Sequence, residues 1–236
     1  MAATVVLVHG AWHGAWCFDR VLAGLEEQGM EAIAVDLPGH GDSTEPLGDL
    51  HDDARAVREA IDAVGGPVVL LGHSFGGMVV TEAGAHPSVR HLVYLCAFLP
   101  AEGESLGALV ETVDDPGLRP ELHMLPGERE GEVRVNPEFA RELFYADASD
   151  EDVARAIARL VPESVPAFGQ APAAIAWRGR PSTYVICTDD RAILRPLQAQ
   201  MAEHASERVE LPTSHSPFLS RPELVVELLA GVAARY

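Results

Sequence analysis

Val68-Val69-Leu70-Leu71-Gly72-His73-Ser74-Phe75-Gly76-Gly77-Met78-Val79-Val80 joins two apolar stretches through Gly-x-Ser-x-Gly. The first stretch predicts a buried strand over 68–72, and the second a helix over 75–85 that ends before Pro87. A serine between such a strand and helix stands on a sharp, strained turn, and its flanking glycines allow close packing there. The helix N-terminus behind it offers positive potential and free N–H groups to a developing oxyanion. The five-residue pattern is common by itself. Its place between strand and helix makes Ser74 the candidate nucleophile.

On either side the same alternation continues. Strands are predicted at 4–8, 32–37 and 89–97, and helices at 16–28 and 50–64, the second closed by Gly65-Gly66-Pro67. Almost wholly apolar strands that alternate with helices define a parallel sheet covered on both faces. The rhythm breaks after Pro100. Residues 101–180 are rich in Gly, Pro and acidic residues, with 16 Asp and Glu against 8 Arg, and show helical patches near 138–145 and 150–161. Alternation resumes with a strand at 182–188, a helix at 194–204, a strand at 208–211 and a helix at 222–235. The expected architecture is α/β: a mostly parallel six-stranded sheet with helices on both faces. Residues 1–100 and 181–236 form its core, and 101–180 a mainly helical cap over the strands' C-terminal edge, where such sheets bind ligands.

A serine nucleophile on this scaffold takes its acid and then its base from later strand ends. Tyr184-Val185-Ile186-Cys187-Thr188 runs into Asp189-Asp190, and His215 lies in the loop that follows Glu210-Leu211. The order is Ser, Asp, His. Two neighbouring loop positions point differently, so either aspartate fits, with a slight preference for Asp190. Among ten histidines only His215 combines the right order with a post-strand loop. His51, His86, His91, His123 and His204 read as solvated or cap residues, and His40 as a hydrogen-bonding turn residue. His73, beside the nucleophile, either shapes the elbow or meets substrate. His9 and His13 lack a third ligand at suitable spacing, so no metal site is expected. Oxyanion donors come from the residue after the nucleophile, Phe75, and from the loop after the first strand, where Gly10 leaves room and Ala11 offers its N–H.

Composition narrows the partners. The net charge is −19, all 17 basic residues are Arg, and 47% of the chain is hydrophobic. An acidic surface without Lys argues against nucleic acid or anionic membrane as partners. It also removes Schiff-base chemistry. No apolar run approaches the roughly 18 residues of a membrane span. No charged, apolar leader is visible. Cys17, Cys96 and Cys187 are an odd number without metal-type spacing, and they suit a reduced cytoplasmic setting as buried small hydrophobes. No cofactor is expected, and a homodimer is left open. Trp12, Phe75, Phe98, Leu99, Phe144, Phe168, Trp177 and Phe218 flank the expected mouth or belong to the cap. With Gly10 and His73 they supply the candidates for contact with a small-molecule substrate.

Three motifs carry a resemblance: Val8-His9-Gly10-Ala11-Trp12-His13-Gly14-Ala15-Trp16, Asp36-Leu37-Pro38-Gly39-His40-Gly41 and Gly72-His73-Ser74-Phe75-Gly76-Gly77. They resemble the plant methylesterase and hydroxynitrile lyase branch of the α/β-hydrolase fold. The likeness continues at Glu142-Leu143-Phe144-Tyr145, at Ala158-Arg159-Leu160-Val161-Pro162, and around Asp190 and His215-Ser216-Pro217-Phe218. It implies a Ser74–Asp190–His215 triad with Ala11 and Phe75 as oxyanion donors and ester hydrolysis as the chemistry, while the aromatic candidates at the mouth suggest a small to medium, largely apolar ester. The lyases of this branch carry Thr where Gly10 stands and Lys where Ser216 stands. Without any Lys, lyase chemistry is disfavoured. Carbon–carbon bond hydrolysis, cofactor-free haloperoxidase-like chemistry and a receptor-like hydrolase with little turnover are the alternatives.

Overall fold

The computed structural model describes residues 2–236. Its first half runs β1 (Thr4–Val8), α1 (Asp19–Glu27), β2 (Ala32–Val35), α2 (Leu50–Val64), β3 (Val68–His73), α3 (Gly76–Ala83) and β4 (Val89–Leu95). The chain then leaves the sheet for α4 (Leu106–Val110), α5 (Pro120–His123), β5 (Met124–Pro126), β6 (Glu132–Val135), α6 (Pro137–Phe144), α7 (Asp150–Ile157), β7 (Glu163–Ser164) and α8 (Val165–Gly169). It returns with β8 (Ser182–Cys187), α9 (Arg195–Met201), β9 (Glu207–Leu211), α10 (Pro217–Ser220) and α11 (Pro222–Ala233). The six-stranded sheet has the order β2-β1-β3-β4-β8-β9, and every pairing in it is parallel. Because β4 and β8 are neighbours, the segment between them, called the cap below, is an excursion between adjacent strands.

Alternate residues of each strand feed two separate cores, as a period of two requires. Val5, Leu7, Val69 and Leu71 pack with Leu25 of α1 and Leu229 of α11 on one face. Val6, Val8 and Leu70 pack with Ile61 of α2 and Val79 of α3 on the other, in a core that continues into the cap through Trp12 and Phe144. Local signals fix the helix ends. Asp49 and Asp52 form a reciprocal capping box at the start of α2, and Gly65 closes it at φ +67°. The chain runs from β1 outward to β2 on one side, then back past β1 to β3 on the other. That reversal leaves a crevice at the carboxyl ends of β1 and β3, where open α/β sheets hold their ligands.

Several elements depart from the sequence-based expectation. The cap contains a three-stranded antiparallel sheet, β5-β6-β7, besides its helices. Its signal is the alternation Glu132-Val133-Arg134-Val135, in which the two valines are buried, hidden within a polar, Gly-rich stretch. The second strand stops at Val35, because Asp36 turns inward to accept the N–H groups of Ala15 and Asp42. His91, expected in solvent, is 1% exposed and bonded to Thr183 Oγ1 and the Tyr236 hydroxyl. Among the described residues no helix is long and apolar enough to cross a membrane.

A buried charge cluster joins cap to core. His40 Nε2 of the turn after β2 lies 3.2 Å from Glu163 Oε2 of β7, both side chains 1% exposed, with Asp53 of α2 buried beside them. Burial opposes the charged form of His40, yet the Glu163 carboxylate outweighs it and raises the pKa. Burial, and then the charge of Glu163, push Asp53 up to about 8. Between its ordinary value near 3.8 and about 8, Asp53 is protonated in the folded chain and ionised in the unfolded one. The folded state then binds more protons, so this contribution to stability declines as pH rises through that window. Asp53→Asn is therefore expected to melt increasingly above the wild type from pH 5 to pH 9, by about 2–4 °C per kcal/mol relieved. Parallel thermal melts test it; a difference independent of pH would contradict the assignment.

Candidate active site

Ser74 follows β3 directly and stands at φ +51°, in the left-handed region. For a residue with a Cβ this costs about 1–3 kcal/mol, which the surroundings must hold in place. The Ser74 carbonyl accepts the N–H groups of Gly77 and Phe98, and its own N–H reaches Leu95 O. The elbow also needs close backbone contact: a Cβ on Gly76 would stand 2.5 Å from His9 O, and one on Gly72 2.5 Å from Gly76 O. Trp12 at φ +64° and Cys96 at φ +36° are the other two non-glycine residues at positive φ among the described residues. They follow β1 and β4, so all three strained positions gather at the strand ends that frame the crevice.

The two late loops arrive beside this elbow. His215 Nδ1 lies 2.7 Å from Asp190 Oδ2. Asp190 is 3% exposed and hydrogen-bonded on both oxygens: Oδ1 takes the N–H groups of Ala192 and Ile193, and Oδ2 also takes the Gln198 amide. Asp189, its neighbour, faces solvent and uses its N–H on Thr213 O. A carboxylate held by that many donors is fixed in place with Oδ2 directed at the imidazole.

His215 is steadied through its backbone as well. Its carbonyl accepts from His73 Nε2 at 2.8 Å and from the Cys96 thiol at 3.3 Å. These three side chains form the one compact His/Cys/Asp/Glu group among the described residues with metal-ligand spacing. Two of them are already spent on the His215 carbonyl. Asp147 of the cap accepts from the Ser214 N–H and hydroxyl and from the Ser220 hydroxyl, fastening the loop just before the imidazole. Phe144 covers the ring, at 5.6 Å between centroids. Asp147, Gln198 and Cys96 carry no sequence motif. Asp147 and Cys96 lie 67 and 119 residues from their partners in the His215 loop, and Gln198, though only 8 from Asp190, is identified by the direction its side chain takes in the fold.

Ser74 opens into a cavity of about 610 Å³ bounded by core and cap. Its wall is almost entirely apolar, with Ala11, Trp12, Phe75, Phe98, Phe144 and Phe168 among its residues, and its only ionisable side chains are Glu121 and Glu132. Among the described residues, no acceptor in the chain takes the N–H of Ala11 or of Phe75. Both residues are nearly buried and line the same cavity as Ser74. Two free donors thus border the serine where the loops after β1 and β3 meet.

Five residues expected to contact substrate lie outside this wall, among them Leu99, which is fully buried in the core. His73 is fully enclosed, because its side chain turns away from Ser74 to the His215 carbonyl. Phe218 is buried against Phe18 and His73. Trp177 stacks on His204 and donates to Pro100 O. Gly10 instead sits behind the serine, where a Cβ would stand 2.8 Å from Ser74 Cβ.

Comparison with known proteins agrees with the scaffold. The chain belongs to the alpha/beta hydrolase family, whose profile matches residues 5–228. It is 30% identical to the pyrethroid hydrolase of Sphingobium wenxiniae, over 97% of this chain and 87% of that one. The crystal structure of a pyrethroid hydrolase from Sphingobium faniae superposes with a TM-score of 0.85 at 27% identity, covering both chains completely. An Arabidopsis methylesterase structure superposes with a TM-score of 0.81 at 25% identity, over 99% of this chain and all of that one. The plant methylesterase-like branch resembled by the motifs is thus present among its relatives.

Proposed function

We propose that the protein is a carboxylesterase-type serine hydrolase acting on a small to medium, largely apolar ester. The observation that carries this reading is the pair of unpartnered N–H groups, on Ala11 and Phe75, bordering the same apolar cavity as Ser74. Ser74 attacks the ester carbonyl while His215 takes its proton, and Asp190 holds the ring in the Nδ1–H tautomer. The Ala11 and Phe75 N–H groups receive the oxyanion. His215 then returns the proton to the departing alcohol, leaving an acyl-enzyme that water hydrolyses by the same steps to free acid and Ser74.

The named activities of the pyrethroid hydrolase and methylesterase relatives support the same bond type. A cavity of about 610 Å³ suits an ester of moderate size, and its wall carries no cation for an anionic substrate. Lyase chemistry is further disfavoured at Gly10, where even a Cβ would crowd Ser74 and leave no room for the lyases' Thr. A fluorophosphonate is expected to label the protein once, at Ser74. Across p-nitrophenyl and methyl esters, compact apolar acyl groups should outperform charged peptide esters. A folded protein that refuses the label would favour a ligand-binding role, and preference for charged esters would contradict the pocket.

A further inference from the structure

In the loop that carries the Ala11 donor, three successive carbonyls are tied, those of Gly10, Ala11 and Trp12. Gly10 O accepts from His9 Nδ1 at 2.8 Å and from the His13 N–H at 3.3 Å. Ala11 O accepts from His13 Nδ1 at 2.8 Å, and Trp12 O from the Val161 N–H of the cap at 3.0 Å. The opposite edges of both rings are occupied too. The Leu37 N–H donates to His9 Nε2 at 3.1 Å, and the Tyr145 hydroxyl lies 2.7 Å from His13 Nε2.

These contacts determine a tautomer. A backbone N–H can only donate, so His9 Nε2 presents its lone pair to Leu37. The single proton of the neutral ring is then on Nδ1, directed at Gly10 O. Burial first, and then the neighbouring His40, push the His9 pKa well below its ordinary value, so the ring stays neutral. In a planar trans peptide the C=O and N–H point in opposite directions. Tying back the Gly10 carbonyl therefore turns the Ala11 N–H the other way, toward the cavity that Ala11 lines.

We propose that His9 is a positioning residue for the oxyanion hole, its Nδ1–H locking the Gly10–Ala11 peptide with the Ala11 N–H aimed at the reacting oxygen. This rests on the esterase reading above. The benefit is preorganisation: a donor that needs no rotation when charge develops stabilises the transition state more than the bound ester. His13 holds the next peptide in the same way, and its link to Tyr145 ties that brace to the cap.

A buried histidine that merely fills space predicts something different, and paired isosteres separate the two. Asn places its amide nitrogen near the position of Nδ1 and can still donate to Gly10 O. Gln reaches toward Nε2 and leaves Gly10 O without that donor. On an ester turned over by the wild type, His9→Gln is expected to lower kcat about 100-fold, with KM within about twofold. His9→Asn should retain kcat within about tenfold. Affinity for a boronic acid that forms a tetrahedral adduct on Ser74 should fall with kcat in the Gln variant. Equal losses in the two variants, or losses that follow melting temperature instead of the side-chain donor, would overturn the proposal. Should either variant fail to fold, 15N-histidine NMR of the wild type decides: a proton on His9 Nε2 refutes the lock, and one on Nδ1 supports it. A wild type that neither labels nor hydrolyses any ester would instead remove the esterase reading itself.

Discussion

Ser74→Ala is expected to lower kcat/KM on the best ester by about 10⁴–10⁶-fold, with the fold retained. The substitution removes only Oγ. Cβ remains, so the contacts across the elbow and the bonds from Gly77 and Phe98 to the residue 74 carbonyl persist. Alanine meets the same backbone cost at φ +51° as serine does. Melting temperature should therefore change little while fluorophosphonate labelling disappears. Residual turnover would come from the oxyanion donors and the apolar cavity, which remain in place. His215→Ala should approach the same floor, since members of a triad act as a unit. Activity within tenfold of wild type, or a label that moves to another residue, would exclude Ser74 as nucleophile.

The second large effect separates two adjacent aspartates. Asp190→Asn should cost about 10⁴-fold in kcat, whereas Asp189→Asn should cost less than about threefold, as exposed sites away from the chemistry do. An asparagine at 190 can keep its oxygen on the Ala192 and Ile193 N–H groups. Its NH2 group then replaces Oδ2, which now faces both His215 Nδ1 and the Gln198 amide. Donor would face donor at Gln198, and the imidazole would be driven to present a lone pair at Nδ1. Its proton would move to Nε2, leaving no base for the serine. Kinetics of the two variants, with matched melts, provide the measurement. Similar losses, or the larger loss at Asp189, would refute the geometry-based assignment.

Much of this site is local in sequence. An apolar strand followed by Gly-x-Ser-x-Gly and a helix is written in contiguous residues, because period-two burial and a tight turn depend on near neighbours. The chain order of Ser74, aspartate and His215 follows from the same alternation of strands. Residue orientation is less accessible. His73 adjoins the nucleophile yet faces the opposite way, toward the His215 carbonyl, as successive residues at a strand end do. Phe218 lies near His215 in sequence and near Phe18 in space, so proximity along the chain placed it wrongly at the mouth. The β5-β6-β7 sheet has only a weak local signal, because its strands are short and β7 pairs with β6 across α6 and α7.

By itself, then, the sequence determined the α/β scaffold, the serine elbow, the order of the acid and base, and the lack of any lysine for lyase chemistry. Each depends on residue type and short-range spacing. The motif resemblance points to Asp190 over Asp189, and the tertiary structure supplies the physical reason: Gln198 of α9 and the amides of Ala192 and Ile193 hold the Asp190 carboxylate against His215, while Asp189 faces solvent. Only the fold brought Asp147 to the histidine loop and left the Ala11 and Phe75 N–H groups free beside one cavity. Side-chain direction and hydrogen-bond closure depend on segments far apart in the chain, and they become defined when the sheet packs those segments together.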